Sequence, residues 1–373
     1  MRDFIITSLQ SWDMPMGGNA KDMAFELSCN HRVLYVNSAN PSVKIRQIRC
    51  IKDNLWVLDV PCRLLPVNIW PDGILFDAIN HINNRRICKD IKHAIKELKF
   101  QHYYLFIDND IYKSFYCTDL LKPVCSIYYR RDFLASSYWK HHVPRLEALL
   151  CRKCDFVLTN SEYLARQVRA YNPRTYNIGQ GVQLKAYKAT HKYCLPHELS
   201  DIPHPIIGYI GWITHRRLDA ELLYDIAIAK PHYSFVLIGK EDEYFQAHKL
   251  HTLQNVHFLG EKQQLDTIDY LAFFDVCINP QLVNEVTEGN YPRKIDEYLA
   301  MGKPVVATAT QAMKFFQEYT YNCIGSEEYI RCLDRAISED CTAKREARIR
   351  YAHTHSWEEC INKLYSIIFS SND

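Results

Sequence analysis

Apolar residues in the second half of the chain follow two alternating periods. Short apolar runs predict buried strands in "PIIGYIGWI", "YSFVLIGK", "NVHFLG", "DVCINP" and "PVVAT". Between them, "LDAELLYDIAIAK", "QQLDTIDYLAFF" and "PRKIDEYLAMG" have apolar residues at helical spacing. Strands that are apolar on both sides and alternate with helices predict a parallel, doubly wound α/β sheet.

The first half shows the same alternation less regularly. Strands are predicted in "DFIITS", "HRVLYVNS", "YYLFID", "VCSIYY" and "DFVLTN", helices over 76–99 and 139–154, and an inserted hairpin in "QIRCIKDNLWVLDVPC".

These patterns predict two doubly wound, Rossmann-like domains that face a cleft, where such folds bind ligands. The first covers 1–190, and the aperiodic, proline-containing segment 191–204 is the predicted linker. The second domain covers 205–350, and a C-terminal helix over 351–373 packs back on the body, where it can cross to the first domain.

Composition is that of a globular protein, with 373 residues, 47% apolar and 24% charged. The net charge of +2 predicts no bulk attraction to nucleic acid. Locally, residues 85–153 contain 14 Lys and Arg against 7 Asp and Glu. This region either faces an anionic membrane or a phosphorylated substrate, or it consists of solvated helix faces.

The N-terminal stretch "MRDFIITSLQSWDMP" lacks the form of a signal peptide, and no run approaches the roughly 18 apolar residues needed to span a bilayer. We therefore expect a cytoplasmic protein, at most peripheral to the inner face of the plasma membrane. Its 14 cysteines are scattered, as expected for buried thiols in a reducing compartment. Cys151 and Cys154 form a C-x-x-C without a second pair, so no metal site is expected there.

The stretch "NEVTEGNYPRKIDEYLAMGKPVVAT" places Arg293 and Lys294 directly after Pro292, which is predicted to open a helix. The positive end of the helix dipole disfavours each cation by roughly 0.3–1 kcal/mol, so an anion is expected nearby. Lys294 and Glu297 are three residues apart and share one helix face. A lysine at a helix start after a strand predicts a phosphate site. The alternative is that Lys294 pairs with Glu297 or Asp296 on a wet surface.

This segment resembles the P-x-K-x-x-E-Y-L-A-x-G-K-P-V-V-A-T signature of GT-B glycosyltransferases, and "DFVLTNSEYLARQVRAYNPRTYNIGQGV" resembles the part that closes their acceptor domain. The resemblance covers nearly the whole chain and is closest to bacterial transferases of the retaining group that build capsular, teichuronic-type or exopolysaccharides. It implies an acceptor domain first and a nucleotide-sugar donor domain second, with UDP- or GDP-sugar as substrate and no cofactor.

Residue roles follow from this resemblance by position. Lys294 matches the lysine that contacts the donor diphosphate, and Glu297 matches the glutamate that contacts the ribose. Many retaining relatives have a sugar-contacting glutamate eight residues before the ribose one, where this chain has Gly289. Either Glu288 or Glu285 replaces it, or the contact is absent.

Other donor-side candidates lie in two loops. Relatives often hold the phosphates with an arginine and a lysine after the first strand of the donor domain, and "THRRLD" offers Arg216 or Arg217, unless these are solvated charges. Gly211 would let backbone amides approach a phosphate, and Asn290 permits unusual backbone angles before the helix.

The acceptor-side candidates lie in the first domain. Gly17 and Gly18 match a glycine-bearing loop of similar enzymes, although they also fit an ordinary helix-entry turn. In "IYYRRDF", Asp132 is the candidate for the acceptor hydroxyl, with Arg130 or Arg131 near an acceptor phosphate. The alternative is that Asp132 only pairs with its arginine neighbours.

"FIDND" contains a D-x-D pattern, Asp108 and Asp110, which binds metal in the other large glycosyltransferase fold. Three-residue patterns arise by chance, and we expect no metal site. Cations can stabilise the leaving diphosphate instead. Asp132, Arg216 and Lys294 are therefore the predicted catalytic residues of a metal-independent, retaining transfer, in which domain closure excludes water. The alternatives are a nucleotide-sugar 2-epimerase and a non-catalytic nucleotide-sugar-binding subunit of a polysaccharide assembly complex.

Overall fold

The structure, a computed structural model, describes residues 1–14, 18–40, 42–61, 64–67, 69–132, 141–263, 265–284, 287 and 291–369. The chain divides into two compact units, Met1–Gly181 with Trp357–Asp373, and Val182–Ser356. Each unit is a helix-flanked sheet of mostly parallel strands, so the predicted α/β, doubly wound class is confirmed. None of the described helices has the length and apolar character required to cross a membrane.

The first unit contains an eight-stranded sheet with the order β3-β4-β2-β1-β5-β6-β7-β8. Its strands are β1 (Asp3–Ser8), β2 (Arg32–Val36), β3 (Gln47–Lys52), β4 (Leu55–Asp59), β5 (Tyr104–Asp108), β6 (Cys125–Arg130), β7 (Phe156–Thr159) and β8 (Thr175–Asn177). The pair β3 and β4 is antiparallel, which confirms the predicted hairpin at one edge of the parallel sheet.

Helices cover both faces of this sheet. They are α1 (Asn19–Leu27), α2 (Ile74–Glu97), α3 (Cys117–Leu121), α4 (Val143–Lys153), α5 (Glu162–Val168) and, from the end of the chain, the helix Trp357–Phe369. Ile5 and Phe4, adjacent on β1, are both fully buried but belong to different apolar clusters. Successive strand residues point to opposite faces, so the continuous apolar runs reflect two-sided burial.

The second unit contains a six-stranded parallel sheet with the order β11-β10-β9-β12-β13-β14. Its strands are β9 (Ile206–Ile210), β10 (Ser234–Ile238), β11 (Val256–Phe258), β12 (Val276–Asn279), β13 (Val305–Thr308) and β14 (Tyr321–Cys323). Its helices are α6 (Ala220–Ala229), α7 (Glu243–Gln246), α8 (Thr267–Ala272), α9 (Lys294–Ala300), α10 (Gly325–Ser338) and α11 (Thr342–His353), and the helix Trp357–Phe369 in the first unit is α12.

The unit boundaries differ from the predicted domain boundaries. The expected linker, 191–204, lies within the second unit, as do residues 182–190. Leu184, Tyr187 and Leu199 from this stretch pack into a core cluster of that unit. Two of them belong to 3-10 turns, Leu184–Ala186 and His197–Leu199, which are too short to produce a periodic pattern. Of the predicted C-terminal segment 351–373, the part from Trp357 onward belongs to the first unit.

Candidate functional site

The sheet of the second unit has a topological switch point between β9 and β12. From β9 the chain proceeds to β10 and β11 on one side, and then returns to β12, β13 and β14 on the other. The loops that follow β9 and β12 therefore diverge at the carboxyl edge of the sheet, which is where open α/β sheets form ligand crevices.

Backbone hydrogen bonds connect these two loops. Leu218 and Gln281 form an isolated antiparallel bridge. The Leu282 amide donates to the Arg217 carbonyl at 2.9 Å. The loops after β9 and β12 thus support each other, and a contact made by one is positioned by the other.

Lys294 reaches from the start of α9 to the end of β9. Its Nζ donates to the Tyr209 hydroxyl at 2.6 Å and lies 3.9 Å from the centre of that ring. The Tyr209 hydroxyl in turn donates to the Trp212 carbonyl at 3.0 Å. The lysine is therefore held by a neutral, buried phenol, and among the described residues no carboxylate lies within 4 Å of it.

Gly211 lies directly against this ammonium group. A Cβ atom built at Gly211 would be 2.6 Å from Lys294 Nζ, and the glycine has a φ of +147°. Other residues would be strained at this φ and would displace the lysine. The predicted glycine and the predicted lysine are thus brought together in one place.

The electrostatic balance of this crevice is positive. Burial of the ammonium, and secondly the neighbouring Arg217 cation, lower the pKa of Lys294 to about 7, although Glu297 acts in the opposite direction. Burial also raises the pKa of Tyr209, while Arg217 lowers it. An anion bound here would relieve the repulsion between the two cations and favour the charged lysine.

The structure distinguishes the two arginines of "THRRLD". Arg217 is the one whose charge acts on Lys294 and Tyr209. Both side chains are exposed, and the Arg216 backbone carbonyl accepts a hydrogen bond from Asn284 Nδ2 at 3.1 Å. Arg217 is therefore the arginine close enough for its charge to lower the pKa of Lys294.

The helix that carries Lys294 begins two residues later than predicted, at Lys294 itself. Pro292 still takes part in its first turn, because its carbonyl accepts from the Ile295 amide at 2.9 Å. Glu297 lies close enough to affect Lys294 but forms its ion pair with Arg293, with 3.3 Å between Oε1 and Nε. Arg293 is thus paired with the glutamate that the resemblance assigns to the ribose.

Asp296 anchors the same helix from its buried side. Its carboxylate is fully buried and accepts from the Tyr291 hydroxyl at 2.8 Å, and its other oxygen lies 2.8 Å from His355 Nδ1. Burial raises the pKa of Asp296, while its partners His355 and Tyr291 lower it. This network fixes the orientation from which Lys294 leaves the helix.

The first unit has its own switch point between β1 and β5. Asp108, at the end of β5, is fully buried and accepts from Ser8 Oγ at 2.7 Å and from Arg131 Nε at 2.8 Å. Arg131 Nη1 also donates to Asp132 at 2.8 Å, and the Asp132 side chain remains 37% exposed. Arg131 therefore links the buried Asp108 to Asp132, the residue predicted to contact the acceptor hydroxyl.

Arg130 lies elsewhere. Its Nε donates to Glu147 at 2.8 Å and its Nη1 to the Leu164 carbonyl at 3.1 Å, and the side chain is buried. Arg130 and Arg131 are adjacent on an extended segment and so point to opposite faces. The guanidinium of Arg130 is therefore hydrogen-bonded inside the protein, whereas the sequence analysis placed Arg130 or Arg131 near an acceptor phosphate.

Gly18 precedes α1 in an extended conformation, with φ of −177°. A Cβ atom at this position would lie 2.4 Å from Gln10 Oε1, so a larger residue here would have to displace the Gln10 side chain. Gly17 lies outside the described residues, as do Glu285, Glu288, Gly289 and Asn290 on the donor side.

The two carboxylates of "FIDND", Asp108 and Asp110, have different hydrogen-bond partners. Asp110 accepts from the Lys113 amide and from Ser114 Oγ, both at 2.9 Å, and so caps a turn, whereas Asp108 pairs with Arg131. Among the described residues, no group of three or more His, Cys, Asp or Glu side chains is arranged to hold a metal ion. Burial raises the pKa of the Cys154 thiol in the C-x-x-C to about 12.

Known proteins resemble this chain in sequence and in fold. Residues 204–324, which contain both loops and α9, match the family model described as Glycosyl transferases group 1. The TuaH protein of Bacillus subtilis (strain 168), provisionally named a teichuronic acid biosynthesis glycosyltransferase, is 25% identical over 255 residues. That alignment covers 65% of this chain and 62% of TuaH.

Solved structures share the whole fold. Sucrose-phosphate synthase from Thermosynechococcus elongatus superimposes with a TM-score of 0.69 at 14% identity, over 100% of both chains. The HepE protein of Anabaena in complex with UDP and glucose has a TM-score of 0.65 at 14% identity, over 97% of this chain and 99% of its own. The chain therefore shares the GT-B fold of these structures, and its residues 204–324 match a glycosyltransferase family model.

Within this cluster, the residue that the sequence analysis missed is Tyr209. It is the penultimate residue of β9 and precedes Ile210 and Gly211. A tyrosine in an otherwise aliphatic strand was the available signal, because a buried phenol needs a hydrogen-bond partner. The pattern of the strand does not show that this partner is a lysine from a helix 85 residues later.

Proposed function

We propose that this protein is a glycosyltransferase that moves a sugar from a UDP- or GDP-sugar donor to a glycan or lipid-linked acceptor in the synthesis of a bacterial surface polysaccharide. The observation that carries the proposal is the Lys294–Tyr209–Gly211 cluster at the switch point of the second unit, with Arg217 adding a second positive charge. A half-buried ammonium whose pKa is lowered by desolvation and by a second cation is costly for the free protein, and an anionic ligand offsets that cost.

The donor diphosphate is the anion that fits this cluster. Both the HepE structure and an E. coli trehalose-6-phosphate structure, the latter with a TM-score of 0.72 at 12% identity, contain a uridine diphosphate group, as UDP with glucose and as UDP-2-fluoro glucose. Lys294 and Arg217 would contact the diphosphate, and Glu297 would contact the ribose after exchanging its ion pair with Arg293.

The proposed reaction breaks the bond between the anomeric carbon and the diphosphate, and negative charge grows on the leaving group. Lys294 and Arg217 stabilise that charge, which is the role a divalent cation plays elsewhere, and the transfer is proposed to need no metal. Asp132, exposed and oriented by Arg131, is proposed to contact the acceptor hydroxyl. The anomeric configuration is proposed to be retained.

The proposed acceptor class and cellular location rest on the name of one relative, TuaH. TuaH is named for teichuronic acid biosynthesis, a role that supports a surface polysaccharide as the product of this chain too. Because such acceptors are glycans or lipid-linked glycans, we propose a cytoplasmic enzyme that works at the inner face of the plasma membrane.

The proposal is tested first by thermal-shift measurements with UDP, GDP and their sugars. Transfer assays with the donor that stabilises the protein follow. Lys294→Ala should weaken donor binding by roughly 10-fold or more, the value of one charged hydrogen bond. Glu297→Gln should weaken nucleoside binding, and Lys192→Ala, at an exposed lysine of the same unit, should change neither.

Two results would contradict the proposal. If no nucleotide stabilised the protein, the proposed donor binding would be contradicted. Nucleotide-sugar interconversion without an added acceptor would instead show an epimerase. Retention is checked from the anomeric coupling constant of the product, and metal independence from full activity in EDTA.

A further inference from the structure

The outer face of α2 has a continuous basic stripe. This helix of 24 residues buries Phe76, Ile87 and Ile91 against the first sheet. Its exposed cations are Arg85, Arg86, Lys89, Lys92 and Lys96. Their spacing of mostly three or four residues places them along one side of the helix.

The three lysines of this stripe have no ion-pair partner in the part of the chain that the structure describes. Of the three acidic residues on α2, Asp77 pairs with Arg145 at 2.8 Å, Asp90 pairs with Arg46 at 3.4 Å, and Glu97 is exposed at the end of the helix next to Lys96. In the described ranges, no carboxylate comes within 4 Å of Lys89, Lys92 or Lys96. A solvated helix face normally mixes both signs of charge, so the stripe is more basic than solubility requires.

Large aliphatic side chains are exposed on the same helix and just before it. Ile74 is 89% exposed, Leu75 51% and Ile82 43%, and Ile69 in the preceding segment is 69% exposed. Ile82 also lines an open groove of about 790 Å³, with Arg85, Lys89 and other residues of the stripe and Leu120 of α3. Apolar side chains and cations thus occur together on one surface.

We infer that this surface, the α2 face formed by Ile74, Leu75, Ile82 and the basic stripe, docks on an anionic lipid bilayer. Cations are attracted by anionic headgroups, and exposed aliphatic side chains gain by entering the boundary between headgroups and acyl chains. A nucleic acid or an acidic glycan would satisfy the cations but would leave Ile74 and Leu75 in water. The inference deepens the membrane location in the proposed function by assigning it to named residues.

The test is flotation of the full chain with vesicles of phosphatidylglycerol and phosphatidylcholine, compared with vesicles of phosphatidylcholine alone. Each lysine near an anionic surface contributes roughly fivefold to binding, so Lys89→Glu with Lys92→Glu should weaken it by about 25-fold or more. The matched control, Lys188→Glu with Lys192→Glu, makes the same charge change at exposed lysines of the second unit and should bind as the wild type does.

A second variant separates lipid from other polyanions. Ile74→Ser with Leu75→Ser keeps every charge and should still weaken vesicle binding, while leaving binding to heparin unchanged. Equal binding to neutral vesicles, no effect of the lysine pair, or no effect of the Ile74 and Leu75 pair would each overturn the inference. UDP-glucose binding is measured for every variant, so that failure of the membrane surface is distinguished from failure of the donor site.

Discussion

Raising the pH should weaken the binding of a UDP-sugar, because the ligand-free protein loses a proton that the complex needs. The pKa of Lys294 in the free protein is about 7. The charged fraction of Lys294 then falls from roughly three quarters at about pH 6.5 to roughly 3% at about pH 8.5. A diphosphate beside the ammonium raises its pKa again, so the lysine in the complex stays charged over this range. The dissociation constant should therefore rise about 25-fold, or roughly 1.9 kcal/mol.

Isothermal titration calorimetry with UDP-glucose measures this effect, since the diphosphate of that ligand does not titrate in this range. Repeating the titration in buffers of different ionisation enthalpy should show uptake of about three quarters of a proton per site at about pH 7.5. Lys294→Met should bind more weakly and without pH dependence. Arg217→Gln should shift the loss of affinity to higher pH, because it removes the cation that lowers the pKa of Lys294. A wild-type affinity that is constant with pH, or an equal slope in Lys294→Met, would refute the reasoning.

Three further outcomes follow from single contacts. Gly211→Ala should cost roughly 1–3 kcal/mol of unfolding free energy from backbone strain and also weaken UDP-glucose binding, measured by urea denaturation and calorimetry; unchanged binding would mean that the lysine is not displaced. Asp296→Ala removes the buried hydrogen-bond partner of Tyr291 and His355 and should lower the free energy of unfolding by roughly 1–3 kcal/mol, whereas no measurable loss would show these bonds to be dispensable. Arg130→Met leaves Glu147 buried without its cation and should destabilise by roughly 3–5 kcal/mol in denaturant titrations, and adding Glu147→Leu should recover much of it.

Most of the strand and helix pattern was predictable because burial on two sides of a sheet produces continuous apolar runs. The hairpin Gln47–Lys52 with Leu55–Asp59 was predictable from its turn. The chain from Val182 to Pro205 was not, because Leu184 and Leu199 are buried from 3-10 turns that have no repeating period. Local periodicity cannot show that an irregular segment packs on a sheet.

The candidate site was predictable where one residue type is required by local chemistry, as for Lys294 and Gly211. It was not predictable where the partner lies far along the chain. The tyrosine in an aliphatic strand indicates that the Tyr209 hydroxyl needs a partner but does not say which one, and nothing in the sequence distinguishes Arg217 from Arg216. The burial of Arg130 did have a sequence signal, because alternation along a strand places Arg130 on the same face as Tyr128. In the structure both side chains form hydrogen bonds to Glu147.

The membership of α12 in the first unit has a consequence for synthesis on the ribosome. Gly181 approaches Trp357 so closely that a Cβ atom there would lie 2.2 Å from the indole, and Ile361 and Leu364 fill the same cluster. Domains generally fold as units while the chain emerges, amino end first. Here the helix that completes the first unit is translated after the whole of the second, so the unit begun first is finished last. Until then its apolar surface around Gly181 is open to chaperones, and a fragment ending at residue 181 would keep that surface exposed permanently.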